Sequence, residues 1–153
     1  MTPNTLSFAV EPLNAPTQMV LATIPVIDGR RLTDILIEFE RKHGFTPAGA
    51  YGGLVFEQFN FGPLGRYFRQ DFDADEKAFW ADGIYVLGCE CGEVGCWPVK
   101  CFVTSDRTTI VWDRFWQPQR PDRVYAELGP FVFDATQYVN AVADLQTRVQ
   151  PVY

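Results

Sequence analysis

The sequence predicts an α+β fold: an antiparallel β-sheet, with a meander in its C-terminal half and two main helices packed on it. Three observations carry this. Residues 84–91, 96–104 and 108–115 are apolar, β-branched or aromatic runs, separated by CGEVGC and SDRT, which read as turns. Leu32, Ile35, Leu36 and Phe39 recur at helical spacing, and so do Tyr138, Val142, Leu145 and Val149. Thirteen Phe, six Tyr and four Trp favour a sheet-containing core with large aromatic anchors.

In chain order, residues 1–18 are rich in Pro, Asn and Thr, with a short strand expected at 7–10. Residues 19–27 (MVLATIPVI) read as a strand, and Pro25 places it at an edge or a bulge. Asp28 is the expected N-cap of a helix over 30–42, which Gly44 ends. The glycine-rich, aromatic stretch 45–65 predicts turns, with short strands at 53–59 and 66–70. Residues 74–81 predict a short helix, capped by Asp73 or Asp75 and ended by Gly83. After the meander, QPQRPDR is an irregular loop, and 128–133 form a last strand broken by Pro130. Asp134 and Gln137 fit a capping box that opens a helix to about Arg148. No internal repeat or linker divides residues 1–153, so a single domain is expected.

Charge narrows the partners. The formal net charge is −6 and the pI near 4.7, whereas a protein that neutralises phosphates needs a basic face. Arg107, Arg114, Arg120 and Arg123 are interleaved with Asp106, Asp113 and Asp122, so no basic patch forms and no nucleic acid partner is expected. The longest apolar stretch, 19–27, is too short to span a bilayer. No positive side chain precedes Arg30, so the charged region of a secretory signal is missing and a cytoplasmic location is expected. In that compartment the four cysteines read as thiols or ligands before disulfides.

The most unusual stretch is Gly88-Cys89-Glu90-Cys91-Gly92-Glu93-Val94-Gly95-Cys96-Trp97-Pro98. With 92–95 as the hairpin loop, Cys91 stands opposite Cys96, and Cys89 lies two residues before Cys91 on the same face. Cys101 is five residues beyond Cys96, an odd offset that sends it to the opposite face unless a bulge at Pro98 resets the register. Three readings stand. The thiols pack as small hydrophobes; or Cys89, Cys91 and Cys96 hold zinc or another soft metal; or Cys91 and Cys96 form a redox pair. His43, Glu93 or water are the fourth ligands a zinc site could take.

On Gly88-Cys89, Cys91-Gly92 and Gly95-Cys96-Trp97-Pro98 the chain resembles an uncharacterised bacterial protein family with a GCxCGxxGCWP cysteine turn. The likeness extends to Trp112, Phe115, Gln117-Pro118, Arg120-Pro121, Leu128-Gly129-Pro130-Phe131, Phe133-Asp134 and Tyr138, roughly the last 70 residues. It implies a bacterial source and no particular mechanism.

Other features read first as architecture. Asp71, Asp73 and Asp75 begin like a calcium loop, but Glu76 and Asp82 stand where that loop needs Gly and Glu. His43, the single histidine, suits the end of a helix, where an imidazolium is stabilised by the dipole. The glycine runs at 49–53 and 62–65 match no phosphate-binding fingerprint. Alternation puts Trp112 and Trp116 on one face and Phe115 on the other. Beside packing, Trp112, Arg114, Trp116 and Arg120 are the candidate interaction residues, since Trp and Arg dominate binding hot spots.

No nucleophile–base pair or cofactor fingerprint can be assembled, so no catalytic or cofactor-binding residue is assigned and the reading leans away from an enzyme. The leading expectation is a small, acidic, non-catalytic protein of bacterial cytosolic type that binds a protein partner, an immunity-like role being one that fits. The alternative is a metalloprotein with zinc on Cys89, Cys91 and Cys96, structural or hydrolytic. A hydrolase built on Glu38, Glu40, Glu57, Glu90 and Glu93 is a third class.

Overall fold

The computed structural model describes residues 2–14, 19–57, 61–91 and 94–149. The first two strands, β1 (Leu6–Asn14) and β2 (Met19–Ile27), form a hairpin in unbroken register from Leu6 opposite Ile27 to Asn14 opposite Met19. Pro25 sits opposite Phe8 without a bulge. The two-residue β3 (Arg30–Arg31) covers only Val26 and Ile27 on the other side, so Pro25 meets no ladder partner there. Helix α1 (Leu32–Lys42) follows directly and buries Leu32, Leu36 and Phe39.

Asp28 does not cap α1. Its backbone turns at φ 53°, and its carboxylate accepts bonds from the Thr5 amide (2.8 Å) and the Asn4 side chain (2.7 Å). The turn that pairs β3 with β2 consumes the residues expected to open the helix, which starts two positions late with no side-chain cap. His43 and Gly44 do end it: His43 is the C-cap, and Gly44 takes the left-handed conformation at φ 72°.

The second sheet is antiparallel throughout, in the order β4 (Tyr51–Gly52), β5 (Ile84–Cys89), β6 (Val99–Ser105), β7 (Thr109–Trp116) and β8 (Phe131–Asp134). Strands β5 to β7 are the expected meander. Of the strand expected at 53–59, the described residues show only a lone pairing of Leu54 with Thr23, which ties the two sheets together, and β4 lies just before that range; residues 58–60 lie outside the described ones. The strand expected at 66–70 is instead helix α2 (Leu64–Arg69). Its buried Leu64, Tyr67 and Phe68 fall at helical spacing, and this period overrides the aromatic preference for strands.

Helix α3 (Ala74–Phe79) buries no residue and rests on its capping box. Asp73 accepts the Glu76 amide at 2.9 Å, and Glu76 accepts the Asp73 amide at 3.1 Å. Strand β8 begins only after Pro130, which has no amide to pair. Asp134 caps helix α4 (Ala135–Arg148) by accepting the Gln137 amide at 3.0 Å. Gln137 does not close the box, because its amide group brackets the Leu6 backbone, accepting from N at 2.9 Å and donating to O at 2.6 Å. That pair of bonds fastens α4 to β1.

A contiguous core joins both sheets to α1, α2 and α4. Trp112 lies at its centre with none of its surface exposed; its indole donates to Tyr138 (3.0 Å), whose hydroxyl donates to the Phe68 carbonyl (2.6 Å). Trp112 is therefore no part of an exposed rim. The alternation expected along β7 also fails. Arg114 adopts φ 52°, and Lys100 opposes Trp116 while Phe102 opposes Asp113, so β7 carries one extra residue. The bulge puts Trp112 and Phe115 together in the core and Trp116 on the other face. Among the described residues no helix is long and apolar enough to cross a membrane.

Candidate metal centre

The end of β5 positions the first cysteine. Cys89 is the last strand residue, pairs with Tyr51 of β4 and is buried. The β5–β6 ladder runs through Ile84 opposite Cys101, Tyr85 opposite Lys100 and Leu87 opposite Val99, with a bulge between Tyr85 and Leu87. This register is not the one that would set Cys91 across from Cys96. Both lie in the loop between the strands, and part of the expected turn, residues 92–93, falls outside the described residues.

The loop nevertheless gathers the sulfurs. The Sγ atoms of Cys91 and Cys96 are 3.8 Å apart, and the three of Cys89, Cys91 and Cys96 all lie within 4.8 Å of one another. Tetrahedral zinc with bonds of about 2.3 Å holds thiolates about 3.8 Å apart. The cluster needs to contract by about 1 Å at most to take such an ion. Cys91 is exposed and Cys96 half-buried, so the centre opens to solvent on one side.

Proximity also sets the protonation. The hydrogen bond with Cys91, then burial, then the neighbouring Cys89 push the Cys96 thiol up to about 11. Without a cation Cys96 is held as a thiol at neutral pH. A bound divalent ion reverses this, because a coordinating thiol is deprotonated outright.

Cys101 stays apart. It faces Ile84 in the core, fully buried, and burial raises its thiol well above the ordinary range. His43 is also elsewhere. Its Nδ1 bonds the Phe39 carbonyl (2.9 Å), its Nε2 bonds Glu127 (3.0 Å), and its ring stacks on Phe39 at 4.0 Å. The Phe39 carbonyl, then Glu127, raise its pKa. Among the described residues no other His, Cys, Asp or Glu joins the three cysteines; Glu93 lies outside them.

The loop's next residue touches a second element. Trp97 is exposed, and the Arg120 guanidinium lies over its ring at 3.6 Å, with Nη1 buried and lacking a hydrogen-bond partner among the described residues. Arg114 stacks over Phe102 at 4.2 Å and bonds Asp113. Trp116 donates to the Asp82 carbonyl at 2.9 Å. The candidate interaction residues other than Trp112 thus border solvent, but each with a separate partner.

Of the five carboxylates of the hydrolase reading, Glu93 lies outside the described residues and the other four do not assemble. Glu38 is exposed and paired with Arg30, Glu57 accepts the Leu21 amide, and Glu90 is exposed beside the cysteines. Glu40 alone is fully buried, and sequence reading missed its setting. It accepts from the hydroxyls of Tyr51 and Tyr125 (2.6 Å for Tyr125), the Gly49 amide (2.8 Å) and Arg123 (3.3 Å). Gln117 donates to both hydroxyls in turn. The one signal was its spacing: Glu40 continues Leu32 and Leu36 at i+4 along the buried stripe. Burial first, then Glu40, pushes Tyr51 up to about 12 and raises Tyr125 further. No protein-family model, curated protein or solved structure matches the chain, so its functional reading rests on these residues.

Proposed function

We propose that this chain is a metal-binding protein in which Cys89, Cys91 and Cys96 hold a zinc ion with a structural role. The convergence of three sulfurs within 4.8 Å carries the reading. Thiolates are preferred ligands of zinc. Of the described loop residues only Cys89 has ladder pairing, so an ion would tie the loop to the end of β5. A thiol site of this kind belongs in a reducing compartment, in keeping with a cytoplasmic protein. Elemental analysis of protein purified under reducing conditions tests it. Stoichiometric zinc that protects three of the four thiols from alkylation is the expected result; no zinc, with thiols that ignore added metal or chelator, defeats it.

A second reading is a non-catalytic protein that binds a protein partner. The exposed Trp97 under an arginine whose Nη1 is unpartnered among the described residues supports it, since Trp and Arg are common interface anchors. A metal-free protein would leave this reading standing alone.

A further inference from the structure

The cysteines of the loop differ in two ways that bear on redox chemistry. Exposure falls from Cys91, which is exposed, through half-buried Cys96 to buried Cys89 and Cys101. A small oxidant therefore meets Cys91 first. Anchoring differs as well. Cys89 belongs to β5, is paired with Tyr51, and has the backbone of Gly52 packed so closely that a Cβ there would stand 2.6 Å from the Cys89 carbonyl oxygen. Cys91 and Cys96 lie beyond the ladder, outside the strands.

We propose that Cys91 is a site of peroxide oxidation, that Cys96 is its resolving thiol, and that the resulting disulfide expels the metal ion. The last step rests on the zinc reading above; the first two do not. In the first step the sulfur of Cys91 attacks a peroxide. The O–O bond breaks, one oxygen passes to sulfur as a sulfenic acid, and the other leaves as the alcohol or water. Cys91 is oxidised by two electrons and the peroxide reduced by two. In the second step the Cys96 sulfur attacks that of Cys91. The S–S bond forms, the S–O bond breaks, and the hydroxyl leaves as water, with the Cys96 proton in the metal-free protein or with a proton from solvent where zinc holds Cys96 as thiolate.

Geometry selects Cys96. Its Sγ is 3.8 Å from that of Cys91, and a disulfide of about 2.05 Å asks the pair to close by less than about 2 Å. Cys89 is a poorer resolver, since it is fixed in the sheet and only two residues away along the chain. Once Cys91 and Cys96 are joined, Cys89 is the one ligand of the three that remains. A single thiolate does not retain zinc against competing ligands.

The experiment treats the reduced, zinc-loaded protein with a stoichiometric amount of hydrogen peroxide beside a chromogenic zinc chelator, followed by peptide mapping. The expected result is loss of two of the four thiols, a crosslink between the Cys91 and Cys96 peptides, and zinc appearing with the same time course. In Cys96→Ser the crosslink should vanish and a dimedone adduct should appear at Cys91. In Cys91→Ser thiol loss should slow about tenfold. Unchanged thiols, a crosslink through Cys89 or Cys101, or a Cys91→Ser variant oxidised at the parental rate overturns the proposal. The same treatment of chelator-stripped protein separates the two readings. A Cys91–Cys96 disulfide in a protein that never bound zinc defeats the metal site and the expulsion step, and leaves the oxidation site in place.

Discussion

Glu40 and Arg123 face each other across 3.3 Å in the interior, with 0% and 8% of their side chains exposed. They stand 83 residues apart, on α1 and on the loop after β7. The carboxylate also takes both tyrosine hydroxyls, which accept in turn from the two hydrogens of the Gln117 amide. Every one of these bonds to Glu40 has the carboxylate as acceptor. Removing one member strands the rest away from water. Glu40→Ala or Arg123→Ala should each cost about 3–5 kcal/mol, as for other broken buried pairs. Denaturant unfolding checks this, and a loss under about 1 kcal/mol would mean that water reaches the cluster.

Packing of α4 gives a second expectation. Leu145 is fully buried on the apolar stripe it shares with Tyr138 and Val142. Leu145→Ala should cost about 2–5 kcal/mol in chemical denaturation, whereas the exposed Val139 should tolerate alanine within about 0.5 kcal/mol.

His43 supplies a pH dependence whose sign follows from its partners. The Phe39 carbonyl and Glu127 raise its folded pKa, so the charged form is favoured on folding. Its contribution to stability is fully present below the unfolded value of about 6.5 and is lost as pH rises through the higher folded value. As the single histidine, it should give one imidazole set of proton NMR signals titrating above about 6.5. In Glu127→Gln the midpoint should fall towards that value.

Zinc uptake should be selective among the cysteines. Serine at Cys89, Cys91 or Cys96 should weaken zinc binding about tenfold or more, because each removes a thiolate. Cys101→Ser should leave the affinity unchanged while lowering stability, since that thiol is packed in the core away from the cluster. Binding should release protons into a weakly buffered solution, so affinity should fall as pH falls. Competition with a chelating dye across pH measures both effects.

What the sequence by itself determined was whatever neighbouring residues express. The period-two runs of β5, β6 and β7, the stripe Tyr138, Val142 and Leu145 of α4, and the caps at Asp73 and Asp134 all depend on spacing within a few positions. Three cysteines within eight positions were legible in the same way, because a short loop cannot separate them far. The tertiary structure decided what one chain segment must learn from another. Arg114 becomes a bulge only because β6 supplies one residue fewer, and that turns Trp116 away from the core. Asp28 is taken by Asn4 and Thr5 before it can cap a helix. Glu40 looked like any helix-end carboxylate until Tyr51, Gln117, Arg123 and Tyr125 closed over it. A buried charge is tolerable only where distant donors converge on it, and no local pattern records that convergence.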